Sequence, residues 1–244
     1  MAADDDRPLE SLLGSVQQRR ACRGFAAALV EDDRLAVIAE IKRRSPSKGD
    51  LNPSLDPARL ARTYADAGAA CVSVLTDAEF FGGSRADLHA AADAGGVPVL
   101  RKDFTVSAND VADARLMGAD CVLLIVAALA PSELGELHGL ALQIGLDVLV
   151  EIHDEDELAV ALDVGATLIG VNQRDLVTFE VDHQRAERVG RAIPDGVVRV
   201  AESGVRDAVD ARRLANAGFD AILVGETLVT ADDVAGTLRS LRAQ

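Results

Sequence analysis

The chain has no tryptophan, one tyrosine (Tyr64) and six phenylalanines in 244 residues, so its core must be assembled from Ala, Val, Leu and Ile. Aromatics this scarce also give no stacking platform for single-stranded nucleic acid. Basic charge is in deficit: 25 Lys and Arg face 40 Asp and Glu, a formal net charge of −15. Nucleic acids and anionic membranes both recruit a basic face that displaces counterions, so neither is an expected partner. The longest apolar run, Cys121 to Ala130, falls far short of the ~20 residues of a membrane helix. Met1-Ala2-Ala3-Asp4-Asp5-Asp6 is acidic where a secretory leader is basic, and no apolar stretch follows it. Cys22, Cys71 and Cys121 are odd in number and widely spaced, which argues against a disulfide framework and a zinc site. No two of the four histidines have metal-ligand spacing, so no metal is expected. The expectation is a cytoplasmic chain.

What the chain does have is a repeat. Eight short apolar runs, rich in Val, Ile and Leu, alternate with segments of helical period. They are Ala36–Ile41, Cys71–Leu75, Val97–Leu100, Cys121–Val126, Asp147–Ile152, Thr167–Val171, Val197–Ala201 and Ala221–Val224. None alternates cleanly between apolar and polar, as expected of strands covered on both faces. Helix signals bracket the segments between them: Ser54, Asp56 and Pro57 with Gly68, Ser107 with Gly118, Asp154 with Gly165, and Asp207 with Gly218. The four glycines open a shared phrase that ends a helix and turns directly into a strand, about 50 residues apart with one further strand between. Eight βα units predict an α/β protein, a (β/α)8 TIM barrel with a short N-terminal helical extension. No G-x-G-x-x-G follows any run, which disfavours a doubly wound open sheet. The expected organisation is a single domain: an extension over residues 1–35, with Asp4–Pro8 disordered and Leu9–Leu29 forming one or two helices at the barrel floor or mouth, then the barrel over 36–244.

In such a barrel the chemistry sits at the C-terminal strand ends. Those positions hold Glu40 and Lys42, Thr76-Asp77, Lys102-Asp103, Glu151, Asn172, Glu202-Ser203-Gly204 and Gly225-Glu226. Lysine is confined to 42, 48 and 102, while every other basic residue is Arg. Sites that keep Lys point to a compact ammonium whose pKa can be tuned for proton transfer, which Arg does not offer. Glu40 and Lys42 have the i, i+2 spacing that places both on one face of a strand. Ser203-Gly204 and Gly225-Glu226 follow the seventh and eighth strands, the usual phosphate site of these barrels. His89, His138 and His183 fall in predicted helices, expected on outer faces, and His153 reads as a loop residue near Glu151.

These residues resemble indole-3-glycerol-phosphate synthase of tryptophan biosynthesis. Ile38-Ala39-Glu40-Ile41-Lys42-Arg43-Arg44-Ser45-Pro46-Ser47-Lys48-Gly49 looks like that family's most distinctive motif. Ser73–Asp77, Leu100–Phe104, Leu149–Glu151, Gly170–Leu176, Ala201–Gly204 and Leu223–Glu226 follow in order. The resemblance implies a cofactor-independent carboxy-lyase. Its substrate is 1-(2-carboxyphenylamino)-1-deoxyribulose 5-phosphate, closed to indole-3-glycerol phosphate with loss of carbon dioxide and water. Ring closure needs an acid at the ketone oxygen, and dehydration needs a second acid at the new hydroxyl with a base at the ring nitrogen. By similarity, Lys102 is the acid of ring closure, and Glu151 and Lys42 serve dehydration. Glu40, Asn172 and Glu202 orient hydroxyls and tune the lysines. Ser45 and Arg174 hold the anthranilate carboxylate, and Phe104 covers its ring. Ser203, Gly204, Gly225 and Glu226 hold the phosphate, the last two through backbone N–H groups. The expected state is a monomer or weak homo-oligomer.

The chain departs from the family in its short extension, in Asn109-Asp110 where Tyr-Gln is usual, and in Gln173 where a second Asn is usual. Glu226 occupies a position often Ser or Glu. Phosphoribosylanthranilate isomerase would want a Cys base where this chain has Glu40-Ile41-Lys42, and a ribulose-phosphate epimerase would want a His-based metal set. A non-catalytic or specialised-metabolism paralogue on the same phosphate-binding barrel is the remaining alternative. A non-catalytic barrel would have lost a lysine or carboxylate from this crown.

Overall fold

A computed structural model describes residues 6–175 and 178–242. Eight parallel strands close into a barrel: β1 (Ala36–Ile41), β2 (Cys71–Leu75), β3 (Val99–Lys102), β4 (Cys121–Ile125), β5 (Asp147–Ile152), β6 (Leu168–Asn172), β7 (Val198–Glu202) and β8 (Ala221–Val224). Each pairs with its successor, and β8 returns to β1 with Ala36 opposite Ala221. The helices are α1 (Leu9–Val16), α2 (Phe25–Ala28), α3 (Pro57–Asp66), α4 (Ala78–Phe81), α5 (Arg85–Gly95), α6 (Ala108–Met117), α7 (Pro131–Gln143), α8 (Glu155–Asp163), α9 (His183–Gly190), α10 (Ala208–Asn216), α11 (Glu226–Val229) and α12 (Val234–Arg242). The side chains of Asp56, Ser107, Asp154 and Asp207 accept N–H bonds at the starts of α3, α6, α8 and α10. Gly68, Gly118, Gly165 and Gly218 all take positive φ, the left-handed stop that returns the chain to a strand. Among the described residues no helix is long and apolar enough to cross a membrane, and no group of His, Cys, Asp or Glu could hold a metal ion.

Four strands run differently from the sequence expectation. The third begins at Val99 rather than Val97, because Pro98 has no N–H to give a ladder and only its carbonyl pairs, with Val72. The sixth and seventh each shift one residue toward the C-terminus, so that Asn172 and Glu202 are the last residues of their strands. The fourth stops at Ile125, where a short 3₁₀ turn takes over Val126. The expected disordered start falls partly on Asp4 and Asp5, and the Gly170–Leu176 motif ends on Leu176; these three lie outside the described residues. Arg7 is docked, its guanidinium donating to Asp113 at 2.7 and 3.0 Å.

Two apolar layers explain the unalternating strands. One face of each strand packs under the helices; the other points into the barrel, where Ile38, Cys71, Leu100, Cys121, Leu123, Leu149, Leu168, Val200 and Leu223 form a separate cluster. Phe25 and Leu29 belong to that inner cluster, so α2 and the residue after it plug the floor. Asp147 at the foot of β5 accepts the Ala26 N–H at 3.0 Å and fixes the plug. The other extension helix, α1, lies outside the barrel with Leu12 and Val16 against Ala112 of α6. Phe25 is fully buried, so Phe25→Ala should lower the stability to urea by about 3–5 kcal/mol. A loss under ~1 kcal/mol would show that the floor does not depend on this ring.

Candidate active site

The inward positions that carry the apolar core change character at the C-terminal strand ends. Ile38 gives way to Glu40, Leu100 to Lys102, Leu149 to Glu151, Leu168 through Gly170 to Asn172, and Val200 to Glu202. Period-2 geometry therefore aims these groups into the barrel mouth. There they meet one cavity of about 610 Å³, which every expected site residue lines: Glu40, Lys42, Lys102, Glu151, Asn172 and Glu202 with Ser45, Phe104, Arg174, Ser203, Gly204, Gly225 and Glu226.

The cluster is electrostatically dense. Lys102 Nζ lies 2.8 Å from Glu151 and 3.3 Å from Glu202, while Lys42 Nζ pairs with Glu40 at 2.7 Å. Asn172 Nδ2 donates to the second oxygen of Glu151 at 2.9 Å. Burial by itself would push the Lys102 ammonium toward neutrality, but the charges of Glu151, Glu202 and Glu40 outweigh it and hold its pKa above the ordinary lysine range. Burial likewise opposes ionisation of Glu151, yet Lys102 and the Asn172 hydrogen bond hold it below the ordinary carboxylate range. Glu202 goes the other way. Burial and the charge on Glu151 exceed the pull of Lys102, and its pKa is pushed up to about 8. One ammonium thus faces one carboxylate and one carboxylic acid at neutral pH. Two glycines make room: a Cβ at Gly170 would collide with the Glu202 carboxyl, and one at Gly225 with that of Glu40.

The rim differs from the floor. Ser203 and Gly204 have φ of 68° and 74°, and Gly225 precedes α11, so backbone rather than side chains forms this edge. Ser45 Oγ is buried without a partner. Arg174 donates to the Phe179 carbonyl at 2.9 Å, and the Phe104 ring stands half exposed at the mouth. Lys48, the third lysine, also lines the cavity and faces Glu226 across it at 3.9 Å.

Two histidines sit elsewhere than expected. His138 is buried rather than on an outer face, and burial lowers its pKa. His183 is the first residue of α9 and lines the cavity beside Gly204. Its position at the mouth end of a helix was the available signal. His153 stands behind Glu151 at 3.9 Å, donor or acceptor to Glu157 at 3.1 Å, and does not line the cavity. Neither Asn109 nor Asp110 lines it: Asn109 bonds the Arg7 carbonyl at 3.0 Å, and Asp110 closes a capping pair with Ser107 at 2.8 Å.

A closed (β/α)8 barrel whose mouth holds a buried lysine–carboxylate cluster defines an acid–base enzyme of the barrel class. A profile of the indole-3-glycerol phosphate synthase family matches residues 1–241. The indole-3-glycerol phosphate synthase of Leifsonia xyli subsp. xyli (strain CTCB07) is 48% identical over 237 residues, 97% of this chain and 91% of that protein. The one from Parafrankia sp. (strain EAN1pec) is 53% identical over 208 residues, 85% of this chain and 78% of that protein. The chain belongs to the indole-3-glycerol phosphate synthase family, whose decarboxylative ring closure is a lyase step of tryptophan biosynthesis. Solved structures share the fold at low identity. A thiamine phosphate pyrophosphorylase from Pyrococcus furiosus superposes with a TM-score of 0.65 at 16% identity, covering 87% of this chain and 96% of that one. An N-acetylmannosamine-6-phosphate 2-epimerase from Clostridium perfringens gives 0.61 at 12%, covering 79% and 86%.

The raised pKa of Glu202 has a stability consequence. Between the ordinary carboxylate range and about 8 the folded state binds a proton that the unfolded chain has released, so this group's contribution is lost as pH rises through that window. Glu202→Gln keeps the protonated shape and cannot ionise. Its urea midpoint should gain on wild type steadily as pH is raised from about 5 to about 9; a constant difference would mean that Glu202 is ionised throughout.

Proposed function

We propose that the cluster performs the family's reaction with Lys102 as the acid of ring closure, and the observation that carries this is the Lys102 ammonium held 2.8 Å from Glu151 on the wall of the cavity. The aromatic carbon bearing the carboxylate attacks the ketone, and Lys102 gives its proton to the ketone oxygen. Its raised pKa keeps that proton in place at neutral pH, and it moves only to the stronger base that develops as the carbonyl becomes an alkoxide. Carbon dioxide then leaves, and its bonding pair restores the aromatic ring. In the last step the new hydroxyl leaves as water and a double bond forms to the neighbouring ring CH2. Atom balance therefore takes the net proton from that CH2 rather than from nitrogen, a correction to the chemistry inferred from sequence. Glu151, ionised, and Lys42 divide this step as base and acid. One proton is consumed per turnover, and no step passes electrons to an acceptor, so the reaction as written uses no cofactor.

Glu40, Asn172 and Glu202 orient the substrate hydroxyls and hold the lysines in register. Ser45, with its unpartnered hydroxyl, and Arg174 take the anthranilate carboxylate, and Phe104 covers the ring. Ser203, Gly204, Gly225 and Glu226 take the phosphate at the backbone edge, as such barrels do after their last two strands. We place the enzyme in the cytoplasm, as a monomer or weak homo-oligomer acting on a small phosphorylated substrate without nucleic acid or membrane. The charge of −15 supports the last exclusion.

With no Trp and one Tyr in the chain, indole fluorescence reports product over a low protein background. Lys102→Arg keeps the charge but not a transferable proton, and turnover should fall by about 10²–10⁴-fold with the melting temperature preserved. Near-normal turnover would remove Lys102 from the chemistry. Glu151→Gln should lower kcat by about 10²-fold or more with KM nearly unchanged; a loss confined to KM would reassign Glu151 to binding.

A further inference from the structure

One buried residue of the mouth is left unused by this chemistry. Gln173 directly follows β6 and is 1% exposed. Its backbone is tied at both ends, the N–H to the Glu202 carbonyl at 3.0 Å and the carbonyl to the Asp182 N–H at 2.9 Å. From that fixed base its side-chain Nε2 donates to the carbonyl of Ser203 at 2.7 Å, while Oε1 is buried with no partner. The recipient is unusual. Ser203 has φ of 68°, and among the described residues Phe179 alone shares a positive φ without being glycine. A residue with a Cβ stays there only where its surroundings enforce it. In a trans peptide the carbonyl and the next N–H point opposite ways. Tying the Ser203 carbonyl back to Gln173 therefore turns the Gly204 N–H away from Gln173, on a residue that lines the cavity. No backbone acceptor among the described residues takes that N–H.

We propose that Gln173 is a positioning residue for the phosphate end of the substrate. It holds Ser203 in the left-handed conformation and so aims the Gly204 N–H at the anion. The proposal rests on the reading of Ser203–Gly204 as the phosphate edge. Gln173 touches no reacting atom, so its signature is a split between binding and turnover.

The test uses Gln173→Met, close in volume but without a donor, with steady-state kinetics and competitive inhibition by inorganic phosphate. The KM and the phosphate inhibition constant should rise together by about tenfold, with kcat within about twofold of wild type. In a Ser203→Gly background, where a left-handed φ carries no strain, the same Gln173→Met change should weaken phosphate by less than about threefold. An unchanged inhibition constant, with or without a fall in melting temperature, would make Gln173 a packing residue and overturn the proposal. An equal penalty in both backgrounds would overturn it as well. If phosphate fails to inhibit wild type while the enzyme turns over, the phosphate-edge reading itself fails and this inference with it. Should Gln173→Met not fold, Gln173→Leu, which likewise has no donor, is read in the same way.

Discussion

An ammonium inside a barrel is tolerated only if carboxylates replace the water it has lost, and that requirement organises the mouth of this molecule. An isolated buried charge costs several kcal/mol, so Lys102 needs Glu151 at 2.8 Å and Glu202 at 3.3 Å. Burial, together with the negative charge of Glu151, keeps the proton on the other acid, Glu202, to about pH 8. The acids in turn need space. Gly170 and Gly225 provide it, because any side chain there would occupy the place of a carboxyl group. The chemistry uses what this balance creates: a proton that stays on Lys102 until a stronger base appears, beside an ionised base.

The same barrel keeps stability and chemistry at opposite ends. At the floor Ala36, Cys71, Cys121 and Ala221, the first residues of four strands, are small, and Phe25 and Leu29 pack in the same inner cluster. The extension that brings them is tied down by charge: Asp120, wholly buried, accepts from Arg20 at 3.3 Å and from Arg23 at 2.8 Å, and Asp113 binds both Arg7 and Arg85. Asp120 also accepts the Val99 N–H at 2.9 Å, so one buried acid ties the extension to the barrel wall. The mouth, relieved of that duty, can hold an open cavity. Barrels of 16% and 12% identity share this architecture; the shared fold supplies the scaffold, and the groups at the strand ends supply the reaction.

Much of this was legible in the chain because local chemistry decides it. Gly68, Gly118, Gly165 and Gly218 end helices wherever they occur, since only glycine takes that conformation freely. Runs such as Cys121–Ile125 have no polar face to show to water and must be covered on both sides. The scarcity of lysine marked positions 42 and 102 before any contact was known. Strand order then put both at one end, since every strand of a closed parallel barrel runs the same way. Pairing was legible only within a strand: the i, i+2 spacing put Lys42 beside Glu40. That Lys102 takes Glu151 and Glu202 depends on the stagger between strands and on rotamers, which no spacing in the chain encodes. Nor was the inward turn of His138 legible, because a helix face is assigned by what packs against it. The repeat, the barrel and most of the groups at its mouth could be read from the chain, because they follow from backbone preference and from burial. Which acid keeps its proton, and which amide donates to the Ser203 carbonyl, emerged with the packed barrel, because both answers come from distances of about 3 Å between residues far apart in the chain.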